Sequence, residues 1–314
     1  MTVPILVYQP RAAQRYCTYL RDQGCDTVYP ATTREEAEAI LQQHPIEVVF
    51  GIGFPLDLLE RYSSIRWLQL MSAGVDHVLH QGRVPARVTL TRMVGVFSRQ
   101  MAEYVFAYLL HIEKGIERLC AQQREQRWKP FRAGVLTGKV IGVAGLGSIG
   151  QEVVRKARAF DMKVHGLSRT GEHADTVDRH FSDREWVDFV RELDYLVLTL
   201  PLTDQTRHVV NESVLWAMKP EAVIVNVGRG ALMDESALIA ALQQARLGGA
   251  VLDVFEQEPL PAESPLWRLP NVYVTPHMSG PTTVENGSTY FLENLARYQA
   301  GQALLGVVEP GAAY

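Results

Sequence analysis

The chain has 314 residues, of which 47% are apolar and 21% charged, and a formal net charge of −4. That length suggests about two domains with real cores, the composition is that of a soluble globular protein, and the slight acidity gives no electrostatic reason to expect nucleic acid or an anionic membrane. No apolar run approaches the roughly 18–20 residues that span a bilayer, no signal core precedes the first strand, and three cysteines (Cys17, Cys25, Cys120) without redox or metal spacing fit a reducing cytoplasm.

Ile5 to Tyr8, Thr27 to Tyr29, Glu47 to Phe50 and Trp67 to Leu70 read as strands, with Arg87 to Thr91 as a further one. Arg11 to Gln23 and Thr33 to Gln43 between them carry helical periodicity, which predicts a parallel α/β sheet. Ser98 to Gln126 predicts one long helix, with Met101, Val105, Tyr108, Leu109 and Ile112 on one side, long enough to bridge two domains. Trp128-Lys129-Pro130-Phe131 follows as a proline-bearing aromatic arm.

A second α/β set begins at Lys139. Val140–Ala144, Lys163–Leu167, Tyr195–Thr199, Val223–Val227, Gly249–Val254 and Val272–Thr275 read as six strands. Helices are expected at Gln151–Phe160, Asp183–Arg191, Ser213–Met218 and Glu235–Ala245, giving a doubly wound nucleotide-binding sheet. Thr282 to Gln299 is again helical and would return the chain to the first domain. The expected fold is therefore α/β, with two Rossmann-like doubly wound parallel-sheet domains and a cleft between them. A discontinuous substrate-binding domain would span 1–97 plus 283–314, and a dinucleotide-binding domain 98–282.

Gly145-Leu146-Gly147-Ser148-Ile149-Gly150 sits between the strand at Val140–Ala144 and the helix that follows. In that setting Gly145 permits a sharp turn, Gly147 lets backbone approach a pyrophosphate, and Gly150 lets helix pack on strand. The helix start then aims unpaired N–H groups and its positive dipole end at the phosphates. About 20 positions on, where a carboxylate usually binds the adenosine ribose, stand Ser168, Arg169 and Thr170. Hydroxyls and a guanidinium can hold a 2′-phosphate that an Asp would repel, so NADP(H) is preferred. NAD(H) stays possible if Arg169 only caps a surface loop and stacks on adenine.

Three polar residues end successive late strands, where open α/β sheets place ligands. They are Arg229, Glu258 and His277. The pieces Gly145–Gly150, Asn226-Val227-Gly228-Arg229-Gly230, Leu252-Asp253-Val254-Phe255 with Glu258-Pro259-Leu260, and Thr275-Pro276-His277 resemble those of D-isomer-specific 2-hydroxyacid dehydrogenases. Met71-Ser72-Ala73-Gly74-Val75-Asp76 resembles the substrate loop of that family's glyoxylate/hydroxypyruvate reductase branch.

The resemblance implies reduction of a small 2-oxo acid to a D-2-hydroxy acid by hydride transfer. Arg229 would bind the carboxylate and ketone oxygens through its planar fork, and Ser72, Ala73 and Gly74 would offer backbone N–H groups to the carboxylate. His277 would donate the proton to the ketone oxygen, with Glu258 on its other nitrogen to orient the ring and favour its charged form. Asp253 resembles the contact to the nicotinamide carboxamide. Leu200, Pro201 and Thr206 resemble the loop beneath the cofactor, and Gly280 would allow close backbone approach. With Ser148, Ile149, Val227 and His277 these complete the expected cofactor contacts. The aromatic arm implies a homodimer, with packing on its own domain as the alternative.

His44, His165, His173, His180 and His208 have no usable companion spacing. His77 and His80 lie beside the substrate loop, where local packing or a surface position is expected, and Glu35, Glu36 and Glu38 read as a solvated helix face. There is no metal-ligand pattern, so no metal is expected, and no serine elbow. Formate dehydrogenases share the fold but pair Gln with their His, which Glu258 argues against. The end at Tyr314 leaves no room for the regulatory domain of many phosphoglycerate dehydrogenases. Phosphite oxidation and a nucleotide-sensing binding protein on the same fold remain open at this point, and turnover of 2-oxo acids would separate the sensor from the enzyme.

Overall fold

Ile5–Tyr8 (β1), Val28–Ala31 (β2), Val48–Gly51 (β3), Trp67–Leu70 (β4) and Thr89–Thr91 (β5) pair in parallel in the order β2-β1-β3-β4-β5. The register sets Ile5 beside Val28 on one side and beside Val48 on the other. Every residue of β1, β3 and β4 is buried, as expected for strands covered on both faces. The computed structural model describes residues 3–75, 78 and 84–309, so Asp76, His77 and His80 lie outside the described residues.

This sheet belongs to the first of two units, residues 1–97 together with 282–314; the second comprises 98–281. The C-terminal helix Val284–Gln299 starts at a capping box between Thr283 and Asn286, which satisfies two otherwise unpaired backbone donors. Phe291 stacks on Phe50 at 4.3 Å and on Trp67 at 5.4 Å. Buried Asn294 donates to Gln69 Oε1 at 2.9 Å and to the Leu305 carbonyl at 3.0 Å. Thr91 accepts from the Trp67 indole and donates to Gln69. This buried polar set is hydrogen-bonded internally, which offsets its desolvation.

The second unit holds Val140–Ala144 (β6), Lys163–Leu167 (β7), Arg179–Phe181 (β8), Tyr195–Leu198 (β9), Val223–Asn226 (β10), Gly249–Leu252 (β11) and Val272–Val274 (β12). They form a parallel sheet in the order β12-β11-β10-β9-β6-β7-β8. The order reverses between β6 and β9, and that switch point is where such sheets bind ligands beyond the strand carboxyl ends. The sheet has seven strands, not the six expected from sequence. Strand β8 is three residues long, Arg-His-Phe, too short and too polar to carry a periodic signal.

The long helix expected over Ser98–Gln126 is two helices, Ser98–Lys114 and Ile116–Arg124. The break is at Gly115, in the left-handed region at φ +58. A Cβ there would lie 3.0 Å from two ring carbons of Phe131, and the Arg118 guanidinium covers the same ring at 4.1 Å. Phe131 of the aromatic arm thus packs on its own unit, whereas Trp128 is 97% exposed. Among the described residues no helix is long and apolar enough to cross a membrane.

Candidate active site

Gly145 has φ +98, a conformation that favours glycine. Thr199 at the end of β9 donates to its carbonyl at 2.8 Å and ties the turn to the switch point. A Cβ on Gly150 would fall 1.9 Å from the Gly145 carbonyl oxygen, so only glycine lets the helix Ser148–Ala159 start this close to β6. At Gly147, the N-cap, an added Cβ meets nothing within 4 Å. The protein's own packing therefore does not demand glycine there, whereas close approach of a phosphate to the backbone would. Ser148 is exposed and Ile149 half-buried at the same helix start.

These distances separate two effects. Gly147→Ala is expected to leave the melting temperature within a degree or two, because the methyl enters open space, yet to abolish dinucleotide binding. Gly150→Ala should lower both, since a backbone oxygen must move, at a cost of about 1–3 kcal/mol. Thermal melts with NADPH titration of both variants check this. Wild-type affinity in Gly147→Ala would remove the turn from the cofactor site.

At the end of β7, Ser168 is buried and its Oγ lies 2.8 Å from His180 Nε2 on β8, while Arg169 and Thr170 are exposed. The residues that directly follow β7, Ser168 to Gly171, include no carboxylate. Leu200 is half-buried and Pro201 exposed. Thr206 donates to the Pro201 carbonyl at 2.7 Å, so its hydroxyl closes the 201–206 loop on itself.

Arg229 follows β10 and is held by its neighbours. Asn226, fully buried, donates to the Arg229 carbonyl at 2.8 Å and accepts from Gly228 N–H at 3.0 Å. Nη1 of Arg229 donates to the Gly228 carbonyl at 2.7 Å, which fixes one edge of the guanidinium. A Cβ on Gly230 would fall 1.9 Å from the Phe255 carbonyl carbon, so the loop after β10 lies directly on the loop after β11. Val227 is buried beside this turn.

Glu258 accepts from Phe255 N–H through Oε1 at 3.0 Å and meets His277 Nδ1 through Oε2 at 2.8 Å. A carboxylate only accepts, so Nδ1 carries the proton toward Glu258 and Nε2 is the nitrogen left for other chemistry. The pair is partly open to solvent, His277 at 54% and Glu258 at 36% exposure. His277 itself has φ +51, unusual for a non-glycine residue and common at functional turns.

Asp253, fully buried, accepts from Met278 N–H and Thr275 Oγ1 on Oδ1 and from Ser279 N–H on Oδ2. Gly280 is half-buried at the end of this turn. The ends of β10, β11 and β12 thus assemble Arg229, Asp253, Glu258 and His277 within one unit. The chemistry available is bidentate anion binding at Arg229 and an imidazole oriented by a carboxylate at His277.

Ser72, Ala73 and Gly74 belong to the first unit, after β4, and are half-buried. Ser72 donates to the Gly74 carbonyl at 2.8 Å, and Arg92 Nη1 donates to the Ala73 carbonyl at 3.3 Å. The sequence gives no individual role to Asn226, His180, Thr275 or Arg92, although Asn226 and Thr275 stand within the motifs that carry the resemblance. Among the described residues no group of three or more His, Cys, Asp or Glu side chains could hold a metal ion.

A family model for the NAD binding domain of D-isomer specific 2-hydroxyacid dehydrogenases matches residues 106–279. The chain is 31% identical over 261 residues to the glyoxylate/hydroxypyruvate reductase A of Serratia proteamaculans, covering 81% of this chain and 83% of that one. A D-isomer specific 2-hydroxyacid dehydrogenase family protein from Aeromonas salmonicida superimposes with a TM-score of 0.90 at 32% identity, over 98% of this chain and 99% of that one. An NADPH-dependent glyoxylate/hydroxypyruvate reductase of Sinorhizobium meliloti, solved with NADP and sulfate, gives a TM-score of 0.88 at 28% identity, over 99% and 100% of the two chains.

Proposed function

Because the chain belongs to the D-isomer specific 2-hydroxyacid dehydrogenases, in their glyoxylate/hydroxypyruvate reductase-like branch, we propose that it reduces small 2-oxo acids to D-2-hydroxy acids with NADPH. Glyoxylate and hydroxypyruvate are the first candidate substrates. The observation that carries this reading is the 2.8 Å contact between Glu258 and His277 Nδ1, beside an arginine held at the neighbouring strand end.

When bound, the nicotinamide dinucleotide supplies the two-electron reducing equivalent. The turn Gly145–Gly150 and the helix start at Ser148 and Ile149 would hold its pyrophosphate. Ser168, Arg169 and Thr170 would hold the 2′-phosphate, with NAD(H) as the weaker cofactor. Asp253 has used three of about four acceptor directions, leaving one for the carboxamide N–H. Leu200, Pro201, Thr206, Val227 and Gly280 would flank the cofactor.

Arg229 binds the substrate carboxylate and ketone oxygen together and polarises the carbonyl. Ser72, Ala73 and Gly74 of the first unit would offer backbone N–H groups to a carboxylate. The His277 Nε2 proton passes to the ketone oxygen as negative charge develops there. Glu258 keeps the ring in register and stabilises the charge on it. In the oxidative direction neutral His277 takes the proton back. The setting is a cytoplasmic homodimer in which exposed Trp128 faces the second copy, while Phe131 packs on its own unit.

A steady-state panel of 2-oxo acids with NADPH and NADH tests the reading; cofactor binding without turnover of any of them would make the chain a sensor instead. On the same panel Arg169→Ala is expected to raise KM for NADPH about ten- to a hundredfold, the worth of a hydrogen bond to a charged group. KM for NADH should stay unchanged. Equal effects on both cofactors would detach Arg169 from the 2′-phosphate.

A further inference from the structure

The turn that carries His277 is held from below by a chain of hydroxyls that reaches back to the helix Ser98–Lys114. Tyr104 on that helix lies with its Oη 2.6 Å from Thr275 Oγ1, and Thr275 Oγ1 lies 2.6 Å from Asp253 Oδ1. The direction of both bonds follows from proton counting. A carboxylate only accepts, so Thr275 gives its single hydroxyl proton to Asp253; it must then accept from Tyr104. Burial pushes the Tyr104 phenol well above the ordinary tyrosine range, so it keeps that proton at all working pH values.

Asp253 in turn grips the backbone on both sides of the histidine. Its carbonyl accepts from His277 N–H at 3.0 Å. Its carboxylate accepts from Met278 and Ser279 N–H, each at 2.8 Å. Between these anchors His277 takes φ +51. A histidine in that conformation costs free energy unless the surroundings hold it there, and Asp253 supplies the holding contacts.

We propose that Tyr104 and Thr275 are positioning residues for the proton donor, acting through Asp253 on the 277–279 turn. The inference rests on the reading of His277 as proton donor given above. Neither hydroxyl is needed for packing. The body of Tyr104 sits against Tyr108, with ring centroids 4.8 Å apart, and phenylalanine retains that contact. Valine retains the volume of Thr275.

The test uses Tyr104→Phe, Thr275→Val, Thr275→Ser and the double variant Tyr104→Phe/Thr275→Val, each assayed with NADPH and the preferred 2-oxo acid. Tyr104→Phe and Thr275→Val should each lower kcat about tenfold, the worth of one hydrogen bond, with the NADPH Kd within about twofold of wild type. The double variant should be no slower than the worse single one, because the two hydroxyls act in series. Thr275→Ser keeps the hydroxyl and should restore kcat.

Amide hydrogen exchange supplies a readout independent of turnover. The Met278 and Ser279 amides should exchange faster in Tyr104→Phe and Thr275→Val, and at the wild-type rate in Thr275→Ser. Unchanged kcat with unchanged exchange would overturn the proposal. So would equal losses of NADPH affinity and kcat, or fully additive losses in the double variant. If the wild-type protein reduces no 2-oxo acid, the functional reading falls, and the exchange rates still decide the positioning.

Discussion

Replacing His277 by Asn is expected to lower kcat for 2-oxo acid reduction by about 10²–10⁴, the usual worth of a positioned general acid, while NADPH binds as before. Asn is the informative substitution because the residue sits at φ +51, a conformation Asn tolerates better than Ala. The side chain is half open to solvent, so its removal should cost little stability. Asn can still reach Glu258 with an amide N–H, but it has no titratable proton to give to a ketone oxygen. Stopped-flow reduction alongside a fluorescence titration of NADPH measures both quantities. Near-wild-type turnover in this variant would falsify the assignment of His277 as proton donor.

The second large effect is expected at Arg229. Arg229→Lys preserves the positive charge and removes the fork, so any loss reports geometry rather than charge. A planar guanidinium holds two oxygens of one substrate at once, and its edge is fixed by the Gly228 carbonyl 2.7 Å from Nη1. An ammonium is a point donor on a flexible stem and would have to choose between those partners. The expected outcome is a fall in kcat/KM of about 10²–10³, comparable with removal of one donor to a developing oxyanion. The loss should appear in both KM and kcat, because the same group binds the carboxylate and polarises the ketone. A lysine variant with wild-type kcat/KM would show that charge alone suffices. Arg229 would then be an electrostatic contact rather than a clamp.

The parts of the fold that were legible in the sequence are those that repeat or that need a special backbone. The fully buried strands β1, β3, β4, β9, β10 and β11 appear as short apolar runs because both faces are covered. Gly145 and Gly150 are readable because no other residue suits a φ of +98 or a 1.9 Å approach to a carbonyl oxygen. What escaped depends on partners distant in sequence. Gly115 looks like a tolerated glycine inside a helix until the Phe131 ring is seen to occupy the space its side chain would need. Tyr104 reads as one more residue of a helical pattern, and only tertiary placement brings it to Thr275, 171 positions along the chain. Asp253 was legible only through the resemblance, as a contact to the nicotinamide carboxamide. Its grip on the 277–279 turn is a property of how β11 and β12 end side by side.

The stacking of Phe291 on Phe50 and Trp67 has a bearing on biosynthesis. Translation delivers residues 98–281 as one uninterrupted stretch, so that unit has all its parts before the final helix is made. The five-stranded sheet, although its strands emerge first, lacks one covering layer until Gln299 has left the ribosome. The two cores therefore become closable in the reverse of the order in which their first strands are synthesised, and the nascent chain must carry exposed Trp67 and Phe50 through the whole interval.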